Sequence, residues 1–380
     1  MGIAVDRQAL LGGLSLVQGI VERRNTVPVL GHVLIEPSGT SVKLSATDLE
    51  VGISTQIECK STKDKSLTLN ARKLFEVVRE AESESVDINP LDGDWIEIKC
   101  GRAKFKMMGL DPRSFPAMPS QSSKDAPRKS IKASLTMSAS VLAAMIDKTI
   151  FAVSPDEARY NLSGVFLESQ GSGKEARARM VATDGHRLSL IDRAAPGFNM
   201  EAGAIIPRKG LGELRKLLDQ GGDAEVNLMI DGQIASLKRG STEVTMRLVE
   251  GEFPDYRGVI PKQTKHHVKI ARDRLQAAIK RAAIFSSERY HGVKLSLAPG
   301  SLTVSSVSPD IGEASDTIDD IDYIGEEFAI GFNSTYLLQM LGVIGSDAEI
   351  DLGLTDEVSP GLIATSSDSE FTYVVMPMRL

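Results

Sequence analysis

The chain has 380 residues, 42% hydrophobic and 25% charged, with a formal net charge of -7 at pH 7. That length suggests two or three domains with real cores, and the composition excludes a disordered, fibrous or membrane-spanning chain. A mildly acidic whole argues against blanket adhesion to nucleic acid but leaves room for a local basic face. Cys59 and Cys100 show no framework spacing and read as reduced thiols. The start MGIAVDRQALL lacks a basic segment followed by an apolar run, position 6 is Asp where myristoylation needs Ser or Thr, and no apolar run approaches a membrane span. The expected setting is cytoplasmic, without membrane contact.

Read in order, the chain repeats itself. An amphipathic helix over 5–21 leads to a strand over 31–38 and, after a turn, a second strand over 41–54. A helix follows over 70–81, then alternating strands over 95–110. The same order returns as helix 138–154, strands 163–170 and 178–192, helix 207–219 and strands 234–249. It returns again as helix 271–287, strands 291–299 and 301–315, helix 333–345 and strands 361–378. Val33, Val165 and Val293 mark equivalent points about one third of the chain apart. This predicts three similar α+β domains with mostly antiparallel sheet, at 1–128, 129–260 and 261–380. The joints PSQSSKDAPRK (119–129) and PKQTKHH (261–267) are polar and rich in Pro and Lys.

The segment TDGHRL (183–188) has the look of an active site. Its counterpart in the first repeat, TDLEVG, keeps the Asp but not the His or Arg, and the third repeat reads SPDIGE. An Asp after Thr in a strand–turn is most simply a turn former, so Asp184 reads as structural, while His186 and Arg187 fit a surface site present once per chain. Other chemistry finds no support. No G-x-S-x-G elbow, phosphate loop, dinucleotide glycine pattern, C-x-x-C or H-E-x-x-H occurs, and GSGKE (171–175) reads as a hairpin turn. The expectation is no metal and no cofactor. A hydrolase built on Asp184 and His186, and a monomeric scaffold with a peptide groove, are the alternatives.

Basic residues recur on equivalent helices: Arg72, Lys73 and Arg79; Arg208, Lys209, Arg215 and Lys216; Arg272, Arg274, Lys280 and Arg281. Arg23 and Arg24 end the first helix. One such helix is a solvated face; several in an acidic protein suggest a surface that holds phosphates without reading bases. At the other end, YVVMPMRL (373–380) carries Met378 and Leu380 beyond Pro377, where no strand accounts for them. Flexible Met side chains beside Arg379 suit an adaptable pocket for peptides.

ATDGHRL (182–188), PRKG (207–210), FPDYRGVIP (253–261), RAAIFSSERYHGV (281–293), GFNSTY (331–336) and the terminal YVVMPMRL together resemble the bacterial DNA polymerase III beta subunit family, the sliding clamps. The resemblance runs from the first helix to the last residue. It implies three domains per chain, each of two similar halves. Two chains would join head to tail into a six-domain ring, with helices inside and sheets outside. Such a ring encircles duplex DNA without reading sequence. It tethers the replicative polymerase subunit, the clamp loader and other proteins through short clamp-binding peptides, with no active site of its own. A duplicate or specialised copy with altered partner preference would look the same.

By position, the resemblance assigns a peptide pocket to Leu162, Thr183, Gly185, His186, Arg187, Leu188, Pro254, Val259, Val374, Met376, Pro377, Met378, Arg379 and Leu380. His186 and Arg187 would give polar and stacking contacts. DNA-facing positions would be Arg24, Arg72, Tyr160, Arg208 and Lys209, and the dimer seam would use Lys73, Lys104, Phe105, Ile284, Phe285 and Glu313. Gly258 stands where a second basic residue can follow PDYR, Asn161 where an aromatic can occur, and Pro360 lies in a turn that could reshape the far pocket wall.

Overall fold

The computed structural model describes residues 2–21, 27–61, 65–119, 132–156 and 158–379. Among them are six helices, each entered directly from a strand: α1 (Arg7–Val17), α2 (Ala71–Arg79), α3 (Ala139–Ile150), α4 (Arg208–Leu218), α5 (Arg272–Ala283) and α6 (Ser334–Gly342). Each helix is followed by three strands before the next strand–helix entry. The chain is therefore six strand–helix–three-strand units, two per repeat, which are the similar halves implied above.

The helices are shorter than predicted because caps, rather than apolar periodicity, set their ends. Asp6 accepts from the Ala9 amide at 2.9 Å to start α1, Asn70 from Lys73 at 3.0 Å to start α2, and Asn333 from Thr335 at 2.9 Å to start α6. The larger correction concerns the strands predicted over 41–54, 178–192 and 301–315. Each is a hairpin: Ser41–Thr47 with Val51–Ser61, Arg177–Thr183 with Arg187–Ala194, and Ser301–Ser308 with Gly312–Asp319. TDLE, TDGH and SPDI are the turns between them, and their polar residues interrupt the alternation of apolar side chains.

All the described ladders are antiparallel. The chain divides into two compact units, 1–140 with 209–248, and 141–208 with 249–380, so repeat two is split between them. The first holds a twelve-stranded sheet, the second an eight-stranded and a four-stranded sheet. In the first unit, Leu10, Leu14 and Val17 are buried on the inner face of α1. Gly13 lets the helix sit low, since a Cβ there would come within 2.9 Å of the Leu44 side chain.

Each unit contains one seam between repeats. In the first, Val51–Ser61 pairs with Thr242–Arg247, and the buried hydroxyls of Thr55 and Thr242 meet at 2.8 Å. In the second, Arg187–Ala194 pairs with Phe371–Val375, setting Leu188 opposite Val374. Beside that seam Asp368 receives Lys148 and, at 2.5 Å, Arg193. Burial alone would push the Asp368 carboxyl up, but hydrogen bonds from Arg193 and Lys148 outweigh it and hold the group below its usual range.

Candidate functional site

The TDGH turn is built like TDLE. Thr47 and Thr183 donate to the carbonyls of Val51 and Arg187 at 2.9 and 2.6 Å. Asp48 accepts from the amides of Glu50 and Val51 at 3.0 and 2.7 Å, and Asp184 from those of His186 and Arg187 at 3.0 and 3.1 Å. The left-handed position of the turn falls on Leu49 (φ 84) in one and Gly185 (φ 87) in the other; glycine takes that conformation at less cost. Asp184 is thus a turn former, and its carboxylate is fully engaged. The hydrolase alternative is left without a free carboxylate at Asp184.

Arg187 corrects an expectation. Its side chain is 6% exposed, and its guanidinium donates to Asp184 at 3.0 Å, Gln339 at 2.5 Å and the Phe151 carbonyl at 2.6 Å, lying 4.4 Å from the centre of the Tyr336 ring. The fork bolts repeat two to α6 of repeat three and is not free to stack on a ligand. His186 is exposed, and its ring lies against Tyr336 with centroids 6.4 Å apart. No local pattern ties Gln339 or Tyr336 to this turn, because only the fold brings α6 to it.

Above the turn stands the FPDYRGV segment. Phe253 stacks on Phe166 at 4.8 Å, and Tyr256 is buried with Val181, Leu188, Leu190 and Val374. The Tyr256 hydroxyl donates to Glu168 and accepts from Arg179 at 3.3 Å. Burial first, then the bond to Glu168, pushes this phenol up to about 12. Arg179 is itself locked to Asp192 by two bonds of 2.7 Å, and Arg257 reaches Glu168 at 2.9 Å.

This bracing holds open a cavity of about 310 Å3 lined by Leu162, Thr183, Gly185, Arg187, Leu188, Pro254, Val259, Val374 and Met376, together with Asp255 and Tyr256. Asp255 and Tyr256 belong to the FPDYRGVIP motif and extend the expected wall. The lining is chiefly apolar, so the cavity suits apolar side chains. His186 and Pro377 do not line it. The Met376 amide donates to the His186 carbonyl at 2.8 Å and that of Met378 to Gly331 at 2.9 Å, pinning the chain end. Met378 and Arg379 line a second cavity. The fourteen expected residues thus do not form one continuous wall, and Leu380 lies outside the described residues.

Around the pocket, Asn161 donates to the Glu252 carbonyl at 3.1 Å. The turn before Pro360 is closed by Asp356, which accepts from Val358 and Ser359 at 3.0 and 2.7 Å. Space is open around a Cβ placed on Gly258.

The expected phosphate contacts differ in freedom. Arg208 is exposed, Tyr160 is 60% exposed and Arg72 is half-buried; no carboxylate pairs with either arginine among the described residues. Lys209 is paired with Asp48. Arg23 and Arg24 lie outside the described residues.

Of the expected seam residues, Lys73 is engaged with Glu76 at 2.7 Å. Lys104 and Phe105 lie on Ala103–Met108, an edge strand of the twelve-stranded sheet, and Glu313 on Gly312–Asp319, an edge strand of the four-stranded sheet. Phe105 is 38% and Ile284 70% exposed, and Phe285 is half-buried. Among the described residues, no group of His, Cys, Asp or Glu is placed to hold a metal ion, and no helix is long and apolar enough to cross a membrane.

Comparison with known proteins agrees along the whole chain. Three family models match in succession: the N-terminal domain of the DNA polymerase III beta subunit at 1–119, the central domain at 136–255 and the C-terminal domain at 257–379. The beta sliding clamps of Caulobacter vibrioides and Escherichia coli K12 are 34% and 32% identical, with both chains covered completely. A solved sliding clamp from Bartonella birtlesii, bound to griselimycin, superposes with a TM-score of 0.91 at 34% identity over 100% of both chains. The DNA polymerase III subunit beta of Pseudomonas aeruginosa does so at 0.88, with 34% identity and the same coverage.

Proposed function

Because the chain belongs to the DNA polymerase III beta subunit family, whose members are sliding clamps, we infer that it closes with a second copy into a ring around duplex DNA and tethers replication proteins there. The repeats at 1–128, 129–260 and 261–380 are its three domains. The setting is the bacterial cytoplasm.

The observation that carries head-to-tail closure is a pair of oppositely charged sheet edges that no strand covers among the described residues. Ala103–Met108 brings Lys104 and Lys106, while Gly312–Asp319 brings Glu313 and Asp319, Asp316 being held by Arg281 at 2.5 Å. An exposed edge strand is a template for another chain, and opposite charge selects the other edge rather than a copy of itself. Phe105, Ile284 and Phe285 would be the apolar anchors at each seam. Different patches meet at each contact, and two such contacts close a dimeric ring.

Exposed Arg208 and Tyr160, with Arg72, are suited to phosphate contact, which gives affinity without sequence preference. Arg24 is proposed with them. Lys209 is proposed to act only after exchanging Asp48 for phosphate. The cavity between TDGHRL and FPDYRGV takes an apolar side chain of a short partner peptide from the polymerase subunit, the clamp loader or another replication protein. Arg187 forms part of its wall, and His186 belongs to the turn that carries that wall.

Native mass tests the ring. The double change Ile284→Ala and Phe285→Ala should shift the sedimenting species from dimer to monomer while circular dichroism stays unchanged. A dimer that persists at nanomolar concentration would place the contact elsewhere. Val259, 47% exposed on the pocket wall, tests the groove. Val259→Asp should abolish binding of a labelled clamp-binding peptide without loss of the dimer, and unchanged binding would refute the pocket.

A further inference from the structure

The second cavity, about 470 Å3, has a different character from the first. Its apolar surface comes from Tyr290, Val307 and Met378, and its charge from Lys294 and Arg379. No Asp or Glu is among its lining residues, and neither cation has a carboxylate partner among the described residues. Arg289 does not line the cavity but carries a further positive charge next to a lining residue, its guanidinium 5.2 Å from the centre of the Tyr290 ring. In a chain of net charge -7, such a concentration of unmatched cations in a concave site is selective for an anionic group.

The two cavities share the chain end. Met376 lines the first and Met378 the second, and the tail between them is fixed by the amide bonds to His186 and Gly331. Two residues of extended chain span about 7 Å. A ligand that runs alongside this tail from an apolar anchor in the first cavity would meet the second within two or three residues of its own.

We propose that the cavity lined by Lys294 and Arg379 is an acidic-residue subsite. It receives a carboxylate of the same partner peptide, two or three residues from the apolar anchor. The inference rests on the peptide-groove reading and adds a rule of partner choice to it. The anchor supplies affinity common to all partners, and the carboxylate ranks them. The ranking should weaken with salt, because both cations are near solvent.

The test uses the full-length protein and a fluorescent clamp-binding peptide in five forms. These are the core alone, the core with Asp-Glu two residues beyond either end, and both extensions with Gln-Gln instead. One acidic form should bind about three- to tenfold more tightly than its Gln counterpart at low salt. Lys294 is exposed, so Lys294→Glu should fold normally. That variant should erase the advantage and transfer it to a sixth form in which the extension is Lys-Lys. Equal affinities of acidic and Gln forms at both ends, or an advantage that survives Lys294→Glu and Arg379→Ala unchanged, would overturn the subsite. The core peptide separates the two levels. Its intact binding to wild type and variants with no charge effect defeats this inference alone, whereas its failure to bind wild type defeats the groove reading.

Discussion

Arg187→Met removes the guanidinium while keeping an apolar stem of similar length. In the wild type the fork answers three acceptors, and the side chains of Arg187 and Asp184 are both only 6% exposed. Breaking a buried pair by removing one partner costs about 3–5 kcal/mol. Asp184 keeps its two backbone amides, and Gln339 is exposed enough to turn to water, so the low end of that range applies, about 3–4 kcal/mol. In a unit of this size each kcal/mol lowers the melting temperature by about 2–4 °C, so the transition containing residues 141–208 and 249–380 should fall by roughly 6–16 °C. The assay is differential scanning calorimetry of wild type, Arg187→Met, Asp184→Asn and the double variant. The two changes should couple by about 1–3 kcal/mol. His186→Ala serves as the control and should lie within about 0.5 kcal/mol of wild type, because its ring is exposed. If Arg187→Met cost less than about 1 kcal/mol and instead weakened peptide binding, the guanidinium would be a ligand contact and the structural account of TDGHRL would be wrong.

Asp368→Asn should destabilise the same transition by about 3 kcal/mol, because it leaves Lys148 and Arg193 facing a neutral group at a largely buried seam. The wild-type carboxyl is held low, so its contribution is present above the ordinary Asp value and lost as pH falls through the lower folded value. Denaturation followed from pH 6 downwards should therefore show a shallower acid loss in the variant; parallel curves would refute this. Tyr256 behaves oppositely. Its raised phenol contributes stability below pH about 10 that is lost as pH climbs toward about 12, an effect on the order of 2 kcal/mol that Tyr256→Phe should remove from the alkaline denaturation profile. Gly258→Arg should leave stability within about 0.5 kcal/mol, since open space surrounds that position, and a drop of several degrees in melting temperature would show the turn needs glycine.

The threefold repeat was legible because equivalent segments recur in one order, and the α+β class followed from it. The hairpins were not, because an Asp and a Thr inside an apolar alternation look like one long strand until the turn bonds of Asp48 and Asp184 are seen. The absence of His and Arg from TDLE pointed correctly to a structural Asp184. It misled about Arg187, whose partners Gln339 and Phe151 lie far away in sequence, on segments whose meeting no local pattern announces. The pocket motifs were legible through the resemblance, and Tyr256 lay within one of them. Its role depends on Glu168 and Arg179, two strand residues that read in isolation as ordinary surface charges. Periodicity found the strands that carry the proposed seam but gave no sign that both are edges, since an edge is defined by what fails to pair with it.

The central claim is topological, and retention on DNA tests it most directly. The protein is loaded by a clamp loader onto a nicked circular duplex, freed of unbound protein by gel filtration in high salt, and the circle is then cut once with a restriction enzyme. A ring held only by encirclement should remain with the closed circle and leave when the ends appear, at a rate insensitive to DNA sequence. Equal retention on circle and line would contradict encirclement and leave a protein that merely adheres to DNA.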